Sequence, residues 1–119
     1  MDFSQARSCM IDGQVRTGDV TDLRLLAAML ELPRERFVPP DQAGLAYVDL
    51  DLPVGGAPGA PGAHPARALP RPRTLAKLIQ AADVGAHDRV LDVGCTTGYG
   101  AAVLARLAAR VIEIGRAHV

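Results

Sequence analysis

Arg89-Val-Leu-Asp-Val-Gly-Cys-Thr-Thr-Gly-Tyr99 decides how this chain is read. Val90, Leu91 and Val93 form an apolar run of the near-continuous kind that parallel sheets bury, and predict a short buried strand. Gly94 to Gly98 then read as a tight turn, and Gly100 to Leu107 as an Ala/Leu-rich helix. Strand, glycine turn and helix in that order turn backbone N–H groups toward a nucleotide-like ligand. A second strand is expected from Arg110, carried by Val111, Ile112 and Ile114.

The rest of the chain bounds the function classes. Its 119 residues make one small domain at most, and 49% apolar with 22% charged residues is ordinary for a globular protein. A net charge of zero gives no electrostatic case for nucleic acid or an anionic membrane. Aromatic content of 3% with no Trp offers no base-stacking surface. No apolar run approaches the roughly 20 residues of a bilayer span. Met1 to Arg7 lacks the basic-then-apolar layout of a secretion signal, so the expected location is the cytoplasm.

Cys9 and Cys95 have no metal-ligand or disulfide spacing, and His64, His87 and His118 form no cluster, so no metal is expected. Cys9 reads as core of the first helix and Cys95 as a small packing residue in the turn.

Upstream, residues 1–54 predict a helical region. A helix from Ser4 to Val15 ends at Thr17-Gly18-Asp19; Thr21 caps a second, with Asp22 in its first turn. Leu23, Leu26, Ala27 and Leu30 supply the second helix's apolar face, and Pro33 ends it. Arg34, Glu35 and Arg36 read as a solvated charge run, Phe37 and Tyr47 as packing residues, and Leu45 to Leu52 as an extended segment. Residues 55–67, with Gly55, Gly56, Gly59 and Gly62 among Pro58, Pro61 and Pro65, form a flexible insertion. Residues 68–112 open with a helix over Thr74–Ala82, whose Leu75, Leu78 and Ile79 share a face, before Gly85 to Asp88 turns into the strand.

With Asp92 two residues before Gly94, the turn resembles the first motif of S-adenosylmethionine-dependent methyltransferases. Asp19-Val-Thr-Asp22, the Ala/Met/Leu helix, Pro33-Arg-Glu-Arg-Phe-Val-Pro39, Ala46-Tyr-Val-Asp49 and Leu52-Pro-Val54 narrow this further. Together they resemble the start of bacterial protein-L-isoaspartate O-methyltransferases, over Met1 to about Ile112. The resemblance implies an α/β fold in which N-terminal helices precede a Rossmann-like class I methyltransferase sheet, cut short after its second strand.

It implies S-adenosylmethionine as cofactor, with Asp92, Gly94, Cys95, Thr96 and Gly98 at the cofactor, and isoaspartyl-containing proteins or peptides as partners. A methyl group would pass to the isoaspartyl carboxylate, a protein-repair reaction governed by positioning. No catalytic residue is assigned.

Three departures stand against the family pattern. Thr96 occupies the middle of a turn that usually reads Gly-x-Gly-x-Gly, and a β-branched residue resists positive φ. Ala68, Leu69 and Pro70 stand where active members carry a hydroxyl-bearing Thr-Ile-Ser segment, and proline donates no backbone hydrogen bond. The ribose-binding acid expected about 20 residues beyond the first glycine would fall near Gly115, with Glu113 two positions short and assigned no role.

Residues 113–119 are expected to be non-native: codons such as GAG-ATC-GGA-AGA-GCA-CAC-GTC spell a common sequencing adapter. As it stands the chain is expected to be inactive. The alternative is a divergent methyltransferase-like protein with another substrate or a non-enzymatic binding role. The Gly-x-Gly-x-x-Gly spacing of NAD-type Rossmann proteins is not met by Gly94 and Gly98.

Overall fold

The computed structural model describes residues 2–56, 59–63 and 67–115. Four helices and four short strands follow one another, joined by π- and 3-10 turns: α1 (Phe3–Met10), α2 (Leu23–Glu31), β1 (Leu52–Pro53), β2 (Ala68–Leu69), α3 (Pro72–Ala82), β3 (Arg89–Val93), α4 (Tyr99–Ala105) and β4 (Arg110–Ile114). The architecture is α/β, with N-terminal helices ahead of a two-stranded parallel sheet, β3 beside β4.

The first helix starts at Asp2, whose side chain accepts from the Gln5 amide, and runs on as a π-helical turn over Ile11–Val15. That wider turn buries Ile11 and Val15 with Met10. Cys9 is exposed, a correction to its reading as core, because it faces away from that stripe. Asp22, not Thr21, caps α2: its carboxylate accepts from the amides of Arg24 and Leu25. Thr21 instead donates its amide, as does Asp22, to Oε1 of Gln80, so α3 closes the loop ahead of α2.

This entry angle rotates α2 from its expected face. Leu25, Leu26, Ala28 and Met29 are buried while Leu23 is 76% exposed and Ala27 and Leu30 face outward. Helix α3 begins earlier than expected, with Pro72 in its first turn, where the missing N–H costs nothing. Pro72, Ala76 and Ile79 face the core and Leu78 does not.

The extended segment expected over Leu45–Leu52 is a 3-10 turn over Pro40–Leu45 followed by irregular turns. Only Leu52–Pro53 is strand, pairing antiparallel with Ala68–Leu69. The insertion between them brings Gly56, Gly59 and Gly62 to positive φ. His64 and His118, and residues 116–119 of the tail, lie outside the described residues.

Strands β3 and β4 pair in parallel with Val90 opposite Val111 and Asp92 opposite Glu113. Helix α4 covers the face holding Val90 and Val111. The opposite face, Leu91, Val93, Ile112 and Ile114, is uncovered among the described residues, with Val93 71% exposed. The strand expected to be buried is therefore covered on one side only, because two strands have no second layer here.

The continuous core lies between α1, α2 and α3 and reaches Tyr99 and Val103 of α4. Among the described residues no helix is long and apolar enough to cross a membrane.

Candidate functional site

All five residues expected at the cofactor sit at the C-terminal end of β3. Asp92 is half-buried on the strand face under α4. The chain then reverses through three left-handed residues, Gly94 at φ 75°, Thr96 at φ 51° and Gly98 at φ 88°. The Gly94 amide donates to the Ile114 carbonyl at 2.6 Å and the Gly98 amide to the Cys95 carbonyl at 2.9 Å, which pins both ends of the turn.

Between them, the amides of Cys95, Thr96 and Thr97 donate to no backbone carbonyl among the described residues. A Cβ on Gly94 would meet nothing within 4 Å, so that backbone faces open space. Free amides lining an open turn suit a polar, negatively polarised group. Thr96 holds the glycine-like conformation despite its branched Cβ, at a cost of order 1–3 kcal/mol.

Asp92 and Glu113 lie opposite one another in the parallel register, both on the face toward the turn. Burial pushes the Asp92 carboxyl above its ordinary range, and the neighbouring Glu113 charge adds to the rise. Glu113 Oε2 would lie 3.5 Å from a Cβ on Gly98, so the carboxylate borders the turn directly. Its approach was legible in the period of two along β4, which puts Glu113 on the same face as Val111.

Cys95 packs where a Cβ on Gly115 would come within 2.8 Å of its sulfur, and burial raises its thiol above the ordinary value. It fills space in the turn. Beside it a cavity of about 320 Å³ opens between α4 and β4, lined by Phe37, Thr97, Gly98, Ala102 and Glu113. The Thr97 hydroxyl is buried without a partner.

The segment Ala68–Pro70 leads into α3, whose Leu75 packs 3.5 Å from a Cβ on Gly100 at the start of α4. No hydroxyl stands there. What holds the segment is Arg34, which corrects the reading of residues 34–36 as a solvated run. Arg36 is exposed, whereas Arg34 is 0% exposed. Its Nε donates to the Ala46 carbonyl at 2.6 Å and its Nη2 to the Pro70 carbonyl at 3.0 Å.

The Arg34 guanidinium carbon lies 4.7 Å from the centroid of the Tyr99 ring, and Phe37 meets that ring edge-on at 5.5 Å. Desolvation lowers the Arg34 pKa and pushes Tyr99 up to about 12. Glu35 turns the other way to Arg7, 3.1 Å from it, and accepts from the Tyr47 hydroxyl. The flanking Leu32 and Val38, both buried, were the signal that Arg34 enters the core.

This geometry has counterparts in known proteins. The sequence model of the protein-L-isoaspartate(D-aspartate) O-methyltransferase (PCMT) family matches residues 5–118. A protein-L-isoaspartate O-methyltransferase of Roseiflexus sp. (strain RS-1) is 39% identical over 111 residues, which are 93% of this chain and 46% of that protein. The chain thus spans a little under half the length of that relative.

A solved protein-L-isoaspartate O-methyltransferase superposes with a TM-score of 0.70 at 22% identity, covering 96% of this chain and 34% of its own. A Plasmodium falciparum structure of the same description, in complex with S-adenosyl-L-homocysteine, superposes with a TM-score of 0.68 at 17% identity, covering 98% and 50%. Both share the fold. A family match over nearly all of the chain, on top of the Asp92–Gly98 turn and the N-terminal pattern, places this chain in the protein-L-isoaspartate O-methyltransferase family.

Proposed function

We propose that the gene product at its full length is an S-adenosylmethionine-dependent methyltransferase of the isoaspartyl-repair type, and that this chain supplies the cofactor side of its site. The observation that carries the reading is the left-handed turn Gly94–Gly98, with its free amides and the Asp92 carboxylate beneath it. When bound, S-adenosylmethionine supplies a methyl group on a positively charged sulfonium. The chain's own residues bind and orient. Gly94 and Gly98 let the backbone come close, the amides of Cys95 to Thr97 donate to polar ligand atoms, and Asp92 contributes negative charge.

The reaction needs little acid–base help. A carboxylate is already the nucleophile, so holding it in line within about 3–3.5 Å of the methyl supplies the rate. We assign isoaspartyl-containing proteins or peptides as substrate and the cytoplasm as location. A second reading, a divergent substrate, is favoured by Ala68, Leu69 and Pro70, which carry no hydroxyl.

We also assign residues 113–119 to a non-native tail, with residues 1–54 as the helical region, 55–67 as the insertion and 68–112 as the start of the methyltransferase domain. The coding nucleotides test this tail, and codons other than the adapter's would remove it. Incubation of the full-length product with labelled S-adenosylmethionine and an isoaspartyl peptide tests the activity. Label in the peptide as a base-labile methyl ester supports repair chemistry, and its absence with cofactor bound supports the divergent substrate.

A further inference from the structure

Arg34 is a buried cation with no carboxylate against it among the described residues. Its partners are two backbone carbonyls and one aromatic ring, and each belongs to a different stretch of chain: Ala46 in the irregular loop, Pro70 at the entry to α3, and Tyr99 at the entry to α4. Among the described residues its buried Nη1 has no acceptor, and the Tyr99 hydroxyl is likewise unpartnered. Burying a guanidinium on neutral partners costs more than an apolar residue of similar volume would. Core filling alone does not require it.

What the guanidinium does that an apolar residue does not is fix three directions at once, through a planar fork with donors on two edges and a face for the ring. Two of those directions tie the end of the turn to the segment that enters α3. Tyr99 follows Gly98 directly, so the ring is attached to the end of the turn. Pro70 ends the Ala68–Pro70 segment, and its carbonyl accepts from Nη2 at 3.0 Å.

We propose that Arg34 is a positioning residue, a strut that sets the separation between the Gly94–Gly98 turn and the Ala68–Pro70 segment. This rests on reading the turn as the cofactor side of the site. It touches neither ligand and acts through Tyr99 and Pro70. Lysine cannot replace it, since one ammonium on a flexible stem cannot hold both carbonyls and sit over the ring. The proposal uses no residue of the 113–119 stretch.

The test is an amide NMR titration of the 119-residue chain with S-adenosyl-L-homocysteine, in the wild type, Arg34→Lys, Arg34→Met, Tyr99→Phe and Tyr99→Leu. In the wild type the ligand shifts the amides of Cys95 to Gly98 and, through the strut, those of Ala68 and Leu69. In both Arg34 variants and in Tyr99→Leu the shifts at Ala68 and Leu69 fall at least about threefold, as for a coupled pair losing its link, while those at the turn persist. Tyr99→Phe keeps the ring and keeps the coupling.

Full shifts at Ala68 and Leu69 in folded Arg34→Lys or Tyr99→Leu would overturn the proposal. If the 119-residue wild type does not bind the probe, the cofactor reading is decided on the full-length product and the strut is judged on the substitutions themselves. Arg34→Lys must then shift amides at both Leu69 and Tyr99. Shifts confined to one of the two segments count against it. Should the Arg34 variants not fold, Tyr99→Leu against Tyr99→Phe decides alone.

Discussion

Asp92 on β3 stands directly opposite Glu113 on β4, two carboxylates side by side on the face that meets the glycine turn. Asp92 is half-buried and its carboxyl titrates above the ordinary range, first because burial disfavours the charged form and then because Glu113 repels it. A raised folded-state value means that the stability Asp92 contributes is present below its unfolded pKa and lost as pH rises through the folded one. At neutral pH the charge is a liability to the fold. Asp92→Asn is therefore expected to raise the melting temperature at pH 7 while weakening S-adenosylmethionine binding, checked by calorimetry of both transitions. Lower stability in the variant would show that the carboxylate holds the turn together instead.

Thr96 is strained where a glycine would not be. Its φ of 51° is relieved in Thr96→Gly, although the freed unfolded chain returns roughly 0.5–1 kcal/mol of that gain. The expected outcome is unchanged or slightly higher stability with tighter S-adenosyl-L-homocysteine binding. Gly98→Val is expected to lower stability without unfolding the protein and to abolish binding, because φ 88° is strained for a branched side chain. Weaker binding in Thr96→Gly would mean that the threonine hydroxyl contacts the ligand.

Only two tyrosines and no tryptophan are present, so absorbance at alkaline pH reads them cleanly. Tyr99 is expected to ionise at about 12, held up by burial against the opposing pull of Arg34. Tyr47 also ionises above the ordinary value, with Glu35 adding to burial. Unfolded tyrosine ionises near pH 10, so the fold binds the proton more tightly and stability falls between pH 10 and about 12. Two groups titrating together at about 10 would contradict the buried position of Tyr99.

The two faces of β3 and β4 predict opposite sensitivities. Leu91→Thr and Ile112→Thr change an uncovered face and are expected to shift stability by less than about 0.5 kcal/mol in this chain. Met29→Ala or Ile79→Ala opens the helical core and is expected to cost about 2–5 kcal/mol. Denaturant melts of the four variants compare them. A large loss at Leu91 would show that something covers that face.

Much of this was legible in the sequence, for identifiable reasons. The strand–turn–helix at Arg89 to Tyr99 is local chemistry, an apolar run followed by glycines, and it forms where expected. The capping residue was misplaced by one, because Thr21 and Asp22 are both good caps and the choice was made by Gln80, 58 residues away from Asp22. The face of α2 was misread for the same kind of reason. A nine-residue helix offers two plausible apolar stripes, and its packing against α3 and the π-helical turn selects Leu25 and Met29 over Leu23 and Leu30.

Arg34 was hidden by its neighbours. In Arg34-Glu-Arg36 only Arg36 behaves as a surface charge, and composition does not distinguish three adjacent charged residues that point in three directions. The carbonyls that receive Arg34 come from Ala46 and Pro70, positions that carry no polar side chain to announce them.

Calorimetric titration of the full-length gene product with S-adenosylmethionine, alongside its Gly98→Val variant, tests the central claim most directly. Saturable one-to-one binding in the wild type, lost in Gly98→Val while the variant stays folded, is the predicted result. No binding in a folded wild-type protein, or equal binding in Gly98→Val, would contradict the assignment of the Gly94–Gly98 turn as the cofactor site.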